Sequence, residues 1–179
     1  MDHEALLILE KKGFKLVEVD AIALARGCIG SSKYRRGAKA DEAPAVVDCS
    51  SFIKWLHSLR GIWLPRRSIQ QRELGATIEF DKIQAGDVVF VSGAIDYYLH
   101  DPDDGVGHVG IATGDGSVVH AANSKLHVVE SSLDDFVGSK FRGAKRFGIC
   151  DESVLTFKVP ESRDVEIADD LRWIILQSL

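Results

Sequence analysis

The chain has 179 residues, of which 45% are hydrophobic and 27% charged, and its formal net charge at neutral pH is −5. This length and composition suit one globular domain with terminal additions, and they argue against a disordered chain and against a membrane protein. The negative net charge argues against general attraction to nucleic acid or to anionic lipid.

The first residues do not resemble a secretion signal. Asp2, His3 and Glu4 stand where a basic start is usual, and Glu10 ends the short apolar run behind them. No apolar run approaches the roughly 18 residues that a membrane span needs. We therefore expect a cytoplasmic-looking monomer, with export by a non-classical or phage route as the alternative.

The N-terminal part of the chain predicts short helices separated by glycines. Residues 4–12 predict a helix that Gly13 stops, and residues 14–19 predict an extended segment. Asp20 predicts the cap of a second helix, which ends at a glycine about seven to ten residues later. Residues 31–46 contain polar residues and breakers, so we expect an irregular loop there.

Cys49 lies at the predicted start of the next helix. Apolar residues follow it at the spacing of an amphipathic helix that ends at Gly61, namely Phe52, Ile53, Leu56 and Leu59. Asp48 is the expected N-cap, and the unpaired N–H groups of a first turn favour the thiolate form of a cysteine. The alternative is a small buried cysteine with a packing role only. The other cysteines, Cys28 and Cys150, complete an odd number with no CxxC pair, so neither a disulfide framework nor a zinc ribbon is indicated.

The middle of the chain predicts a helix, a buried strand and a surface loop. Ser68 is the expected cap of a helix over residues 69–75, and residues 88–91 predict a strand. Residues 92–107 are long and acidic, which is typical of a surface loop. Part of this loop resembles the start of a calcium site, but the later ligands and the closing glutamate are missing.

A β-hairpin is predicted over residues 108–121, with the turn at Gly114-Asp115-Gly116. A three-residue loop pairs Thr113 with Ser117, which places Gly110 opposite His120 and puts His108 and His120 on one face of the sheet. A two-residue loop would put the two histidines on opposite faces. Further strands are expected at residues 127–130, 143–147 and 154–159, with helices near residues 133–137 and 165–176.

A thiol at a helix start and two histidines on one sheet face are the parts of a nucleophile–base–orienter triad. In this reading Cys49 is the nucleophile, His108 the base and His120 the residue that orients His108. The N–H of Cys49 is one expected oxyanion donor, and the hydroxyl of Tyr34 is the second. The competing reading is a zinc site made of the same three side chains, but the close ligand pair of most zinc sites is missing. We predict no metal and no cofactor.

Several motifs together resemble the NlpC-type papain-like cysteine peptidases of bacterial cell-wall metabolism. The matching pieces occur in the order of the family at residues 34–37, 48–52, 64–68 with Gln71, 85–90, 108–111 and 119–121. The resemblance implies an α+β fold in which the nucleophile helix packs on an antiparallel sheet that carries the histidines. It places an N-terminal extension at residues 1–20, the peptidase domain at 21–147 and a C-terminal extension of a strand and a helix at 148–179.

The resemblance also implies an activity and a set of residues. Members of the family hydrolyse amide bonds in peptidoglycan stem peptides, commonly between D-glutamate and a diamino acid, so the implied partner is a peptidoglycan-derived peptide. Cys49, His108 and His120 match the family triad, and Tyr34 matches a tyrosine near the oxyanion. Asp48 matches an acid that can meet the substrate amine in some members. Ser51 and Arg66 are the remaining candidates for substrate binding.

Departures from the family pattern concentrate on the substrate side. Arg35-Arg36 replaces the usual aromatic residue and glycine, and Ser51 stands where glycine is commoner. The alternatives to a cell-wall peptidase are therefore the same triad acting on another amide or thioester, a phage lysis peptidase, an interbacterial toxin, and a binding module without turnover.

Overall fold

The computed structural model describes residues 3–17, 19–148 and 155–179. These residues divide into two compact units, a larger one within residues 20–154 and a smaller one built from both ends of the chain, within residues 1–19 and 155–179. Cys150 lies outside the described residues. No described helix is long and apolar enough to cross a membrane.

The helices and strands follow one another along both units. The helices are α1 (His3–Lys11), α2 (Ala21–Gly27), α3 (Cys49–Ser58), α4 (Ser68–Arg72), α5 (Leu133–Val137) and α6 (Ala168–Leu176). The strands are β1 (Lys15–Val17), β2 (Lys33–Tyr34), β3 (Val46–Val47), β4 (Ala76–Ile78), β5 (Val88–Val91), β6 (His108–Ala112), β7 (Ser117–Asn123), β8 (His127–Ser132), β9 (Phe141–Arg146) and β10 (Thr156–Lys158).

The smaller unit joins the two ends of the chain. Strand β1 pairs antiparallel with β10, with Leu16 opposite Phe157. Leu9 of α1, Phe14 and Ile174 of α6 are buried against one another. The sequence indicated two separate extensions and gave no sign that they form one unit, because the paired residues of β1 and β10 are 139 to 143 positions apart. The predicted bounds of the peptidase domain stay a prediction.

The larger unit is a helix packed on a six-stranded antiparallel sheet. The strand order is β4-β9-β5-β6-β7-β8, and every neighbouring pair is antiparallel. Helix α3 packs against β6 and β7 through Phe52, Ile53 and Leu56, all of which are fully buried. Each of these side chains contributes roughly 1.5–3 kcal/mol through its burial. The predicted fold class, α+β with the Cys49 helix on an antiparallel sheet, is confirmed.

The hairpin of β6 and β7 has the predicted register. Ile111 pairs with Val119 and Ala112 with Val118, and the N–H of Thr113 donates to the carbonyl of Ser117 at 3.0 Å. The loop therefore has three residues.

Gly110 lies opposite His120 in this register. A Cβ atom at Gly110 would lie 2.4 Å from Val118 Cγ1 and 3.1 Å from His120 Cβ. Glycine is therefore required there for the close approach of the two strands and for the imidazole of His120.

Two local predictions were wrong. Residues 31–46 are not wholly irregular, because β2 and β3 form a short parallel ladder in which Tyr34 pairs with Val47. This ladder holds Tyr34 next to the segment that enters α3. Ser68 is the first residue of α4 and not its cap, because Arg67 has the extended backbone of the capping position (φ −98°, ψ 140°).

Candidate active site

Helix α3 begins at Cys49 because Asp48 caps it. The backbone of Asp48 is extended, and its carboxylate accepts the N–H of Ser51 at 2.9 Å. In return the hydroxyl of Ser51 accepts the N–H of Asp48 at 2.8 Å. This reciprocal pair is a capping box, and it fixes Cys49 as the first helical residue. The predicted position of the thiol is confirmed.

The thiol of Cys49 is uncharged at neutral pH in this structure. Burial raises the pKa of Cys49 to about 11, and the negative charge of Asp48 acts in the same direction. The backbone N–H groups of Ser50 and Val109 and the positive charge of Arg66 oppose that rise. The sulfur therefore lies close to the N–H of the residue that directly follows His108 in β6.

The N–H of Ser50 at the helix start lowers the pKa of Cys49, as expected, but the contribution from burial is larger and has the opposite sign. A helix N-terminus contributes typically 0.3–1 kcal/mol to a nearby negative charge, which is less than one pKa unit. Desolvation of a buried group can shift a pKa by several units. Burial is set by the tertiary structure, so the local sequence around Cys49 could not indicate it.

The two histidines are hydrogen-bonded to each other. His108 Nε2 and His120 Nδ1 are 2.9 Å apart, and the other nitrogen of His120, Nε2, is 3.0 Å from the hydroxyl of Ser131. The ring of Phe136 packs against both imidazoles, with centroid distances of 5.5 Å to His108 and 4.8 Å to His120. The arrangement is a chain of three polar side chains supported by one aromatic ring.

Both imidazoles are neutral at neutral pH. Burial lowers the pKa of His108 to about 3, with a further contribution from His120, and burial lowers the pKa of His120 to about 4. A neutral imidazole has one protonated and one unprotonated nitrogen. In the chain from His108 to Ser131, a proton on Nε2 of each ring satisfies both hydrogen bonds and leaves Nδ1 of His108 free to accept a proton.

Ser131 is a site residue that the sequence interpretation missed. In the pairing of β7 with β8, His120 lies opposite Val129 and Val118 lies opposite Ser131. Residues two apart on a strand share a face, so Ser131 is a diagonal neighbour of His120. The predicted strand at residues 127–130 is two residues shorter than β8, so Ser131 lay outside the predicted strand.

Cys49 and both histidines line one open cleft of about 710 Å³. The predicted substrate-side residues Tyr34, Asp48 and Arg66 line the same cleft, and so does Ser131. A volume of this size is typical of sites that hold drug-sized ligands or short peptides. The structure therefore brings the predicted triad and three of the four predicted substrate-side residues to one place.

Asp48 is the centre of a hydrogen-bond network next to Cys49. Asp48 is 6% exposed, and its carboxylate accepts hydrogen bonds from both terminal nitrogens of Arg66 and from the N–H of Gly37, the last at 2.9 Å. Burial alone would raise the pKa of Asp48, but the hydrogen bonds from Arg66 and from the N–H of Ser51 outweigh it and hold that pKa below its usual value. Arg66 also donates to the hydroxyl of Ser50 at 2.8 Å, a cleft residue that the sequence did not single out.

Ser51 and Tyr34 differ in their access to the cleft. Ser51 is 2% exposed, its hydroxyl is held by the backbone of Asp48, and it does not line the cleft. Its role in the structure is that of a capping residue. Tyr34 does line the cleft. Burial raises the pKa of its hydroxyl, as do the negative charge that Cys49 gains at high pH and that of Asp48, so the hydroxyl stays protonated at neutral pH.

No group of three or more histidine, cysteine, aspartate or glutamate side chains within the described ranges is arranged to hold a metal ion.

Comparison with known proteins identifies the family. The model of the NlpC/P60 family matches residues 31–146, which is more than half of the chain. The chain belongs to the NlpC/P60 family. The resemblance inferred from the sequence motifs is therefore confirmed, and the matched segment contains every residue of the cleft discussed above.

Curated NlpC/P60 relatives carry peptidase names. A probable endopeptidase of Corynebacterium glutamicum is 39% identical over 124 residues, which is 69% of this chain and 50% of that protein. A gamma-D-glutamyl-L-lysine dipeptidyl-peptidase of Bacillus cereus is 28% identical over 103 residues, covering 56% of this chain and 28% of that protein. The chain thus spans half or less of the length of these relatives. Their names agree with the hydrolase class predicted from the sequence.

Solved NlpC/P60 structures share the fold. The crystal structure of the NlpC/P60 domain of the peptidoglycan hydrolase SagA is similar with a TM-score of 0.55 and 25% identity. The similarity covers 73% of this chain and 100% of that domain.

Proposed function

We propose that this NlpC/P60 protein is a cysteine peptidase that hydrolyses amide bonds in peptidoglycan stem peptides with Cys49, His108 and His120. The observation that supports it best is the hydrogen-bonded chain from His108 through His120 to Ser131, in the same cleft as a cysteine at a helix start. The peptidase and peptidoglycan-hydrolase names of the relatives support the substrate class.

The reaction begins with neutral partners. Because the pKa of Cys49 is raised to about 11 and that of His108 is lowered to about 3, the resting pair is a thiol and an imidazole. The thiol proton moves to Nδ1 of His108 as the sulfur attacks the substrate carbonyl carbon. His120 accepts the Nε2 proton of His108 in a hydrogen bond and so stabilises the imidazolium that forms.

The oxyanion and the leaving group complete the first half of the reaction. The N–H of Cys49 and the protonated hydroxyl of Tyr34 donate to the oxyanion. His108 then returns its proton to the leaving amine, the C–N bond breaks, and a thioester to Cys49 remains. In the second half, His108 removes a proton from water, which attacks the thioester and releases the carboxylic acid and the thiol.

Asp48 positions Cys49 and Arg66 and does not bind the substrate amine. Its carboxylate oxygens already accept two backbone N–H groups and the guanidinium of Arg66. A substrate ammonium would have to displace Arg66 to reach it. We therefore propose that cleavage does not require a free N-terminal amine, and that the bond cleaved is the one between D-glutamate and the diamino acid, as in the name of the B. cereus relative.

The test is product analysis with defined muropeptides. The full chain is incubated with cross-linked and uncross-linked stem peptides, each with a free or an acetylated N-terminal L-alanine, and products are identified by mass spectrometry. We expect cleavage after D-glutamate with both kinds of N-terminus. Cleavage at another bond would overturn the bond assignment and keep the peptidase.

Cysteine variants test the chemistry itself. Cys49→Ala should abolish cleavage, whereas Cys28→Ala, which removes a buried thiol that does not line the cleft, should retain it. Equal cleavage by wild type and Cys49→Ala would overturn the proposal.

A further inference from the structure

Two arginines of the cleft share one tyrosine. Arg36, which precedes α3, donates from Nη2 to the hydroxyl oxygen of Tyr97 at 2.9 Å. Arg67, which follows α3, places its guanidinium carbon 5.4 Å from the centroid of the same ring. All three residues line the cleft that contains Cys49 and His108.

Arg36 and Arg67 differ from the neighbouring arginines, Arg35 and Arg66, in having no carboxylate partner among the described residues. Arg35 pairs with Glu42, and Arg66 pairs with Asp48. Within residues 3–17, 19–148 and 155–179, no carboxylate lies within ion-pair distance of Arg36 or Arg67. Two positive charges thus contact one ring, and neither is paired with a carboxylate of the described residues.

The cleft is positively charged although the whole chain is acidic. Its lining carries four cationic side chains, Arg36, Arg66, Arg67 and Lys140, and two carboxylates, Asp48 and Asp135. The chain as a whole has a formal net charge of −5. Positive charge concentrated in a concave site attracts anionic ligands to that site in particular.

The donors that remain free suit a carboxylate. A guanidinium has five N–H donors, and a phenol that accepts a hydrogen bond can still donate its own proton. After its bond to Tyr97, Arg36 keeps the planar fork of donors that binds carboxylates through two parallel hydrogen bonds. The backbone of Tyr97 is held in place, because its N–H and carbonyl pair with the backbone of buried Val106 at 3.1 and 2.9 Å.

We propose that Arg36, Tyr97 and Arg67 form a carboxylate-binding subsite that selects acidic peptides as substrates. We call these three residues the arginine–tyrosine subsite. This inference rests on the proposed function, because it names a determinant of substrate choice for the same cleft. Arg35 and Arg36 both depart from the family pattern, but they differ in position. Arg36 lines the cleft and belongs to the subsite, whereas Arg35 does not line the cleft.

The test compares one stem peptide with forms that each lack one carboxylate. An L-Ala-γ-D-Glu-diaminopimelate-D-Ala peptide and its three singly amidated forms are titrated calorimetrically into the Cys49→Ala protein. We expect one amidation to weaken binding roughly 5-fold at low salt, near the upper end for exposed charge pairs. This difference should shrink at high salt because the groups are exposed.

Variants that replace an arginine with uncharged glutamine test whether the amidation effect arises at the subsite. In Arg36→Gln and in Arg67→Gln, the same amidation should change the affinity less than about 2-fold. Arg35→Gln removes an equal charge one residue away and does not line the cleft, so it should keep the full difference. Circular dichroism of each variant checks that these exposed substitutions leave the fold intact.

The outcomes separate this inference from the proposed function. Two results overturn the subsite and leave the peptidase. In the first, the wild type hydrolyses the peptide while amidation changes the affinity less than 2-fold; in the second, it hydrolyses the peptide while Arg36→Gln and Arg67→Gln both keep the amidation effect. An amidation effect that the variants remove, without hydrolysis by the wild type, overturns the peptidase and leaves the subsite. Absence of binding of the unamidated peptide at millimolar concentration overturns the subsite as well.

Discussion

Replacement of Arg66 by methionine should destabilise the larger unit. Arg66 supplies two donors to the carboxylate of Asp48, which is 6% exposed. In Arg66→Met the carboxylate keeps the N–H groups of Gly37 and Ser51, but it loses the only positive charge bonded to it among the described residues. Methionine preserves part of the aliphatic volume, so the change mainly removes charge and hydrogen bonds.

The expected loss follows from the burial of the two partners. Removal of one partner of a buried ion pair costs about 3–5 kcal/mol. The side chain of Arg66 is 39% exposed, so water can reach the vacated position, and we expect about 2 kcal/mol. With a denaturant slope of about 2 kcal/mol per molar urea, the midpoint of unfolding should fall by about 1 M.

The assay is urea unfolding followed by tryptophan fluorescence. A Trp173→Phe background leaves Trp55 and Trp63, both in the larger unit, as reporters. Because hydrogen bonds hold the pKa of Asp48 below its unfolded value of about 3.9, its stabilising contribution is present above that pH and is lost as the pH falls through the folded pKa. The difference between wild type and Arg66→Met should therefore shrink in acid.

Two control variants test whether the loss of stability in Arg66→Met comes from the unpaired charge of Asp48. Arg35→Met breaks the exposed pair with Glu42 and should cost less than about 0.5 kcal/mol. Addition of Asp48→Asn to Arg66→Met removes the unpaired charge and should recover part of the lost stability. A free energy of unfolding for Arg66→Met within about 0.5 kcal/mol of wild type at pH 7 would refute the argument.

Three further predictions follow from the pKa values and the histidine chain. Iodoacetamide should modify Cys49 roughly 25-fold more slowly than a free thiol at pH 7, with a rate that rises up to about pH 11; peptide mapping measures this, and a reactive shoulder below pH 7 would instead reveal a resting ion pair. Ser131→Ala should lower kcat about 3- to 10-fold with KM unchanged, because it removes one hydrogen bond to His120, and Ser131→Thr should restore it; a fall in thermal stability without a change in kcat would contradict this role. Burial lowers the pKa of His57 to about 4, so the unfolded state binds more protons between pH 6.5 and 4 and stability should fall by up to about 3 kcal/mol as the pH falls through that range; urea midpoints of wild type and His57→Phe measure this, and an equal acid dependence in the two would exclude His57 as the cause.

Local patterns predicted the parts of the site that local geometry controls. The cap at Asp48, the helix from Cys49 and the loop length between His108 and His120 each depend on residues close together in sequence. The strict alternation of a strand then decides which face a side chain occupies. These features placed Cys49 at a helix start and the two histidines on one face of the sheet, while the family resemblance rested on the set of motifs and is confirmed by the family match.

Other features depend on contacts between distant residues and could not be derived in this way. The bond between Arg36 and Tyr97 joins residues 61 positions apart, and the pair of Arg66 with Asp48 crosses the whole of helix α3. No periodicity encodes such contacts. The high pKa of Cys49 was missed for a related reason, since it depends on how much water the folded cleft admits.

The smaller unit constrains how this protein can be shortened. Leu9 and Phe14 come from one terminus and Ile174 from the other, and the three are buried in one apolar cluster. A deletion from one end would leave an uncovered apolar surface on the opposite end, with aggregation as the expected result. Truncation experiments on this chain should therefore remove both termini together, because lost activity after a one-sided deletion would report on solubility and not on catalysis.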